Sequence, residues 1–303
     1  MKLPFSPSLL MLPILALLMA CHDTNDDDWG NQQDNSVNTN KNDASQEPAL
    51  QRLEFPKVKG GNSIVLIHTT NDQYGINYSV EWDCEKKAQR WSAYQMNAEN
   101  RGGNVGRYQD GYPFDELLDY KYYFNKNGEP YDPFWYSGFN HGHICPSADR
   151  QYSKLANRQT FFLTNMQPQY SQFNGGENSP WYRLEDKVRS WAAATTTEVL
   201  YVVKGGTIED DQVFPTRVKG EMRVPKYFFV ALLLKNAQGY KAVGFWMEHK
   251  SSYPTKESLA NYALNIRDLE QKTGIDFFCN LPDNTEDHVE TLPIENVRRA
   301  WGL

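Results

Sequence analysis

Two apolar runs joined by a short turn place the strongest constraint on the fold of this chain. Residues 227–234 and 240–247 flank residues 236–239, where polar side chains and a glycine suit a tight turn. The two runs therefore predict an antiparallel hairpin. Further strand-like runs are residues 63–69, 78–82, 90–94 and 200–203. With only a few helical patterns between these runs, we expect an α+β fold rather than a doubly wound parallel sheet.

Two helices are predicted from apolar spacing. Leu184, Val188 and Trp191 recur at i, i+4 and i+7, which places them on one helical face. A second helix is expected to begin after Thr255, a candidate N-cap, and to end before Gly274. Both helices would cover a sheet.

The composition permits a packed core. Hydrophobic residues make up 40% and charged residues 23% of the 303 residues, which excludes a chain disordered throughout. No internal repeat or second linker is evident, so residues 56–303 are predicted to form one domain. The aromatic run 131–136 is expected to pack in the core, with a glycan-binding surface as the alternative. The formal net charge of −7 argues against a general polyanion binder, so any basic groove must be local.

The N-terminal residues have the character of a targeting segment. Lys2 precedes an apolar run, residues 9–19, that is too short to span a bilayer as a mature helix. The run leads to Leu-Met-Ala-Cys at Cys21, which resembles the lipobox of bacterial lipoproteins. This resemblance implies a signal peptide over residues 1–21 and an exported protein held to the bacterial envelope, at the outer membrane or cell surface, by a lipid on Cys21. An ordinary secretory peptide is the alternative.

The segment after Cys21 is polar. Residues 22–55 are rich in Asn, Asp, Gln and Ser and have almost no apolar periodicity. Such a composition buries too little apolar surface to fold, so a disordered tether is predicted. The lipid is the only membrane contact expected, and no protein partner is evident.

The cysteines and the two neighbouring histidines allow three kinds of site: a disulfide, a transition-metal site and a thiol nucleophile. Cys84, Cys145 and Cys279 could form one disulfide in an exported compartment, in any of three pairings. His141 and His143 would share a strand face and could suggest a transition metal, but no third and fourth ligands accompany them. A thiol nucleophile at Cys145 is disfavoured because neighbours in a strand point to opposite faces and no orienting carboxylate is evident.

Residues with catalytic potential are concentrated in one block of the chain. His143 stands near the end of a predicted strand, where a neutral imidazole can act as a base on water. Asn165 and Asn174 offer amide oxygens of the kind that Mg²⁺ takes, and this ion needs only one or two protein groups because it keeps several waters. Glu185 and Arg189 are four residues apart and share one helix face. Taken singly, each of these residues also has an ordinary structural interpretation. His143 could be a surface histidine, the two asparagines could be turn residues, and Glu185 and Arg189 could form a surface ion pair.

In this order and spacing the block resembles the DNA/RNA non-specific endonucleases of the ββα-metal (His-Me finger) superfamily. Their signature is Asp-Arg-Gly-His before a turn that contains proline, then Asn-Met-x-Pro-Gln, Asn-x-Gly and a helix that opens with Trp-x-x-Leu-Glu. The residues of this chain that match are His143, Asn165, Asn174, Glu185 and Arg189, with Arg107 as a looser match upstream. The resemblance is densest over residues 135–205.

The resemblance implies metal-dependent, sequence-independent hydrolysis of phosphodiester bonds in DNA and RNA. His143 would be the general base, and Asn174 would hold Mg²⁺, or else Mn²⁺ or another divalent cation. Glu185 would orient water at the metal. Arg189 and Arg107 would stabilise the charge of the transition state.

The remaining site residues include a departure from the family pattern. Asn165 is counted with the catalytic residues, and His141 and Arg150 are predicted to bind substrate. Asn140 and His141 replace the family's Asp-Arg, which removes a carboxylate and a permanent positive charge. Activity is therefore expected to favour mildly acidic pH, where an imidazole is protonated. The alternative is a catalytically impaired, nucleic-acid-binding lipoprotein on the same scaffold.

Overall fold

A computed structural model describes residues 37–303 of the chain. The strands in this range are β1 (Ser63–Thr69), β2 (Ile76–Asp83), β3 (Ala88–Asn97), β4 (Asn125–Lys126), β5 (Glu129–Pro130), β6 (Asn140–His143), β7 (Met166–Gln169), β8 (Val199–Gly206), β9 (Val213–Val218), β10 (Met222–Pro225), β11 (Tyr227–Asn236), β12 (Gly239–Glu248) and β13 (Ala263–Leu264). The α-helices in the same range are α1 (Lys154–Gln159), α2 (Ser171–Asn174), α3 (Pro180–Ala193), α4 (Ile266–Thr273), α5 (Asp283–Thr291) and α6 (Ile294–Trp301). None of these helices is long and apolar enough to cross a membrane.

One antiparallel sheet organises the molecule. It has seven strands in the order β1-β2-β3-β8-β11-β12-β13. The predicted hairpin is confirmed, because β11 and β12 pair along their whole length, from Tyr227 opposite Glu248 to Asn236 opposite Gly239. The other predicted strands lie within β1, β2, β3 and β8. The α+β prediction is therefore also confirmed.

Both faces of this sheet are buried. Along β11, Val230 and Leu232 belong to one apolar cluster, whereas Ala231 and Leu233 belong to another. The first cluster includes side chains of α2 and α3, and the second includes side chains of α4 and α5. A strand covered on both faces has no polar alternation, which explains the continuous apolar run of β11.

A small two-stranded unit lies on the face that α3 covers. β6 and β7 pair antiparallel, with Gly142 opposite Gln167 and His143 opposite Met166. A Cβ on Gly142 would lie 2.6 Å from the backbone oxygen of Gln167 and would also overlap the side chain of Gln169. Only glycine therefore permits this close approach of the two strands. The unit continues through α2 into α3, so that two strands and a helix frame one cleft.

The helix α3 follows the predicted pattern. The side chain of Ser179 caps it by accepting a hydrogen bond from Tyr182 N, and Pro180 occupies its first turn. Leu184 and Val188 are buried against the sheet. This burial directs the opposite face of α3 toward the cleft and solvent.

The second predicted helix begins later than expected. A 3₁₀ turn (Leu259–Tyr262) and the strand β13 come first, and α4 begins at Ile266 with Asn265 as its N-cap rather than directly after Thr255. The helix ends before Gly274, as predicted, and Gly274 follows it in a left-handed conformation with φ of 66°. The difference is caused by tertiary structure. Residues that the apolar spacing assigned to a helix form β13 instead, which pairs with the edge of β12.

Part of the predicted tether packs on the domain instead of being solvated. Asn38 Nδ2 donates to Cys279 O over 2.9 Å, and the buried Asn42 donates through Nδ2 to Pro56 O over 3.0 Å. Phe55 is fully buried. The correction covers residues 37–55, which are held on the domain by amide hydrogen bonds and by the apolar contacts of Leu50, Leu53 and Phe55. Residues 1–36, with the signal peptide and the rest of the tether, lie outside the described residues.

The cysteines of the described residues form no disulfide. Cys84, Cys145 and Cys279 are all free thiols, and Cys145 and Cys279 are buried. None of the three pairings considered from the sequence is formed. Cys21, the predicted lipidation site, lies outside the described residues.

Candidate active site

A cleft of about 540 Å³ opens beside the unit formed by β6, β7 and α3. Six of the eight catalytic, metal and substrate residues predicted within the described range line it: Arg107, His141, His143, Asn174, Glu185 and Arg189. They come from a loop, a strand and two helices. The structure thus brings together residues that are up to 82 positions apart in the sequence.

His143 is the candidate base of this cleft. It is the last residue of β6, and its Nε2 has no hydrogen-bond partner among the described residues. Its ring packs edge-on against Phe161 at a centroid distance of 4.7 Å. Burial lowers the pKa of His143 to about 3, the positive charge of Arg107 adds to this effect, and a hydrogen bond with the His141 backbone opposes it. The imidazole is therefore neutral near pH 7 and can accept a proton.

Asn174 faces the same cleft from the end of α2. Its backbone N–H donates to Tyr170 O over 2.9 Å. The preceding residue, Phe173, is fully buried and stacks on Trp181 at 5.5 Å, which fixes the short helix against α3. The Asn174 carboxamide has no hydrogen-bond partner within residues 37–303, so its oxygen is available to a ligand.

Glu185 is held by a lysine that the sequence patterns did not single out. Lys204 Nζ lies 2.7 Å from Glu185 Oε1, and the lysine side chain is almost fully buried. Its ammonium also lies 4.3 Å from the ring centroid of Trp181. Burial raises the pKa of Glu185, and the charge of Lys204 opposes this rise. The sequence offered one signal for this lysine: Lys204 directly follows the apolar run of β8, where a charged side chain is unusual.

Arg189 does not form the surface ion pair with Glu185 that its spacing allowed. Its Nη1 lies 2.9 Å from Asp149 Oδ1, and its Nη2 pairs with Asp186. Asp149 is buried and also accepts a hydrogen bond of 2.7 Å from Tyr94 OH. These bonds use two of the five N–H donors of a guanidinium. Arg189 is thus oriented by one buried and one exposed carboxylate and keeps donors for a ligand in the cleft.

Arg107 contributes positive charge at the rim. Its guanidinium carbon lies 4.7 Å from the ring centroid of Phe161. Phe161 therefore contacts Arg107 and His143 at once, and this arrangement explains how the arginine lowers the pKa of the histidine. Arg107 is exposed at the rim of the cleft, where a ligand can meet it.

His141 is held between two aromatic rings. It stacks on Tyr112 at a centroid distance of 3.6 Å and on Phe134 at 4.4 Å. Its Nε2 lies 2.8 Å from Asp132 Oδ2. Sequence reasoning did not select Tyr112 or Asp132, because nothing in their local spacing links them to His141. Asn140 stands where the family signature has an aspartate. In this chain Asp132, eight positions earlier, brings a carboxylate to His141.

The sequence model of the DNA/RNA non-specific endonucleases matches residues 62–284, which include the whole cleft described above. The chain belongs to this family. The prediction of a nuclease is thereby confirmed, and the enzyme acts on nucleic acid. Nucleases of this family depend on a divalent metal ion.

Individual relatives of this endonuclease are similar over most of the domain. A nuclease from Nostoc sp. is 28% identical over 223 residues, which are 71% of this chain and 75% of the relative. Nuclease C1 from Cunninghamella echinulata var. echinulata is 25% identical over 214 residues, which are 69% of this chain and 83% of the relative. The crystal structure of an EndoG/EndoGI complex aligns with a TM-score of 0.58 at 20% identity, covering 73% of this chain and 89% of that one, and it shows the shared fold.

Two of the predicted site residues of this endonuclease lie outside the cleft. Asn165 is fully buried, its Oδ1 accepts from Cys145 N over 2.9 Å, and its Nδ2 donates to Cys145 O and Thr160 O. Arg150 is also fully buried and donates to Gln95 O over 2.7 Å. Catalytic and substrate-binding roles are therefore corrected to structural ones. Asn165 ends a 3₁₀ turn before β7 and fixes the segment that follows His143.

The structure argues against a thiol mechanism in this endonuclease. Burial raises the pKa of Cys145 to about 12, so the nucleophilic thiolate is absent near neutral pH. Within residues 37–303, no group of three or more His, Cys, Asp or Glu side chains is placed to hold a metal ion.

Proposed function

We propose that this endonuclease hydrolyses phosphodiester bonds in DNA and RNA without reading the base sequence, with His143 as general base and Asn174 as the residue that holds Mg²⁺ or Mn²⁺. One observation carries the proposal. His143 and Asn174 line the same cleft, the buried Nε2 of His143 has no hydrogen-bond partner among the described residues, and the half-buried Asn174 carboxamide is engaged by no side-chain hydrogen bond within them. A buried polar atom without a partner is costly unless a ligand satisfies it.

The donor set of the cleft suits a hard divalent cation. The amide oxygen of Asn174 is a donor of the kind that Mg²⁺ prefers, this ion keeps most of its waters, and the carboxylate of Glu185 in the same cleft would orient one of them. When bound, the ion would offset negative charge on the phosphate and on the leaving oxygen. The charge of Lys204 opposes the rise in the pKa of Glu185 that burial causes.

His143 moves the proton in the proposed reaction. Its Nε2 accepts a proton from the water whose oxygen attacks phosphorus. As the new P–O bond forms, the bond from phosphorus to the 3′ oxygen breaks, and the 3′ oxygen takes a proton from solvent. The products carry 5′-phosphate and 3′-hydroxyl ends. The negative charge of a bound phosphate opposes the effect of Arg107 on the His143 pKa and so makes the imidazole a stronger base.

Arg189 and Arg107 bind the phosphate in this proposal. Asp149 and Asp186 orient the Arg189 guanidinium and leave its other donors for phosphate oxygens. Arg107 reaches the phosphate from the rim of the cleft. Phosphate contacts carry no sequence information, which accords with cleavage at any sequence.

We also propose that the enzyme is exported and anchored to the bacterial envelope through a lipid on Cys21. The support is the lipobox-like run that ends at Cys21 and the apolar residues before it. Mass spectrometry of the mature protein from the native host tests this directly. An acylated Cys21 at the N-terminus is the expected result, and an unmodified chain that begins elsewhere would overturn the proposal.

The test of the catalytic proposal uses the chain from residue 22 without its lipid. Plasmid DNA and ribosomal RNA should both be cut with Mg²⁺ or Mn²⁺ and left intact with EDTA. His143→Ala should lower the rate by about 10²- to 10⁴-fold, the range for loss of a general base. Asn174→Ala should raise the Mg²⁺ concentration that gives half-maximal activity, whereas the exposed Asn104→Ala, outside the cleft, should not. Binding of nucleic acid by the wild type without cleavage would support the catalytically impaired alternative.

A further inference from the structure

Two large aromatic side chains are exposed at the mouth of the catalytic cleft. Trp135 is 63% and Tyr136 is 97% exposed, and both line the cleft that contains His143. The prediction that the aromatic run 131–136 packs in the core holds for Phe134, which is buried. It does not hold for Trp135 and Tyr136, which are exposed. Single exposed rings are common on proteins, but two adjacent rings at a catalytic cleft form an apolar patch where a ligand arrives.

The loop that carries these rings is fixed on both sides. Phe134 is buried and stacks on His141. The carboxylate of Asp132 accepts a hydrogen bond of 2.9 Å from Phe134 N, and Ser137 N donates to Phe134 O over 3.0 Å. The backbone of Tyr136 has φ of 56°, a left-handed conformation that aromatic residues rarely adopt. A strained residue whose ring buries almost nothing within the described structure points to a ligand-binding role.

The surroundings of the two rings suit a nucleic-acid strand. Tyr182 on α3 is a third partly exposed ring of the same cleft, and Arg107 and Arg189 supply positive charge. A single strand offers charged phosphates and flat base faces, and proteins that bind single strands use this combination of basic groove and aromatic rings.

We propose that Trp135 and Tyr136 stack on unpaired bases beside the scissile phosphate, so that single-stranded DNA or RNA is the preferred substrate. This inference rests on the proposed function and adds the class of substrate. In a duplex both faces of each base are covered by neighbouring bases, so the rings can engage only after unstacking. Stacking is available to every base, so strand preference arises without sequence preference.

The first experiment compares cleavage of an unstructured single-stranded 20-mer with cleavage of the same sequence as a duplex. The wild type should prefer the single strand. Trp135→Ala and Tyr136→Ala should each lower kcat/KM on the single strand by about 5- to 100-fold, from the usual strength of base–aromatic stacking. Duplex cleavage should change by less than about twofold. Trp135→Phe and Tyr136→Phe should retain most activity, and Tyr120→Ala, an exposed ring outside the cleft, should behave as wild type.

The second experiment measures binding without cleavage. In the His143→Ala background, an oligothymidylate should quench tryptophan fluorescence, and the added Trp135→Phe change should remove most of that quenching. An oligomer with the same phosphates but abasic sugars should not quench. Equal quenching with and without Trp135, or equal cleavage of abasic and normal strands, would overturn the stacking proposal. A wild type that binds and quenches but cuts neither strand form would instead refute the proposed function alone.

Discussion

Asp132 Oδ2 lies 2.8 Å from His141 Nε2, and the histidine ring is held between Tyr112 and Phe134. These three side chains fix the imidazole of His141 at the position where the family signature has arginine. A carboxylate partner selects the orientation of an imidazole. Asp132 and the two rings therefore hold His141 in one orientation on the wall of the cleft.

The first prediction concerns this pair. Asp132→Asn should lower kcat/KM about tenfold, because the charge of the carboxylate that orients the ring is lost and the hydrogen bond becomes weaker. His141→Arg should make activity less dependent on pH between 5.5 and 8.5, since arginine stays charged over that range. Steady-state kinetics across this range, with the exposed Asp110→Asn as control, checks both expectations. A wild-type rate that is flat with pH and unaltered by His141→Arg would contradict the role given to His141.

The second prediction concerns the ion pair between Lys204 and Glu185. Lys204→Met leaves a buried carboxylate without its partner and should lower the free energy of unfolding by about 3–5 kcal/mol. Combining Lys204→Met with Glu185→Gln should restore much of that stability but not the activity, because the charged carboxylate of the cleft is gone. Urea unfolding and kcat/KM of the two single variants and the double variant give the comparison. Recovery of activity together with stability would show that Glu185 acts only as a structural residue.

The third prediction concerns the close approach of β6 and β7. Gly142→Ala should force the strands apart, because its Cβ would lie 2.6 Å from Gln167 O. We expect a loss of about 1–3 kcal/mol in the free energy of unfolding, as for an overpacked core site. The rate should also fall, since His141 and His143 flank this glycine. The control is Gly103→Ala, an exposed position where a Cβ would meet no atom within 4 Å. If thermal unfolding and kcat of Gly142→Ala match that control, the spacing argument fails.

The fourth prediction concerns stability at alkaline pH. Burial raises the pKa of Glu286 to about 8, the charges of Asp276 and Glu270 add to this rise, and a hydrogen bond from Asn40 opposes it. A carboxyl whose folded pKa lies above the unfolded value of 4.5 contributes stability that is complete below pH 4.5 and is lost as the pH rises through about 8. Glu286→Gln cannot ionise, so it should match the wild type near pH 5 and be more stable near pH 8.5. Urea unfolding from pH 5 to 9 tests this, with the exposed Glu295→Gln as control, and parallel curves for wild type and Glu286→Gln would refute it.

Local signals explain which parts of the fold could be predicted. The hairpin of β11 and β12 depends on two apolar runs and the turn between them, all within a short stretch of chain. The later start of α4 could not be predicted, because β13 is formed only by pairing with a strand that must already lie beside it. The packing of Asn38 and Asn42 was missed for a related reason, since Asn38 donates to Cys279 O and the backbone N–H of Asn42 donates to Asn280 Oδ1, both distant in the sequence.

The sequence by itself determined the residue types and spacing from which His143, Asn174, Glu185 and Arg189 were selected. Tertiary structure alone decided which charged groups pair, as with Lys204 on Glu185, because electrostatic partners are chosen by distance in space and by burial rather than by separation along the chain. It also decided that Asn165 is a buried structural residue. An asparagine has the same hydrogen-bonding groups in a cleft as in a core, and only the surrounding atoms determine whether those groups are left for a ligand.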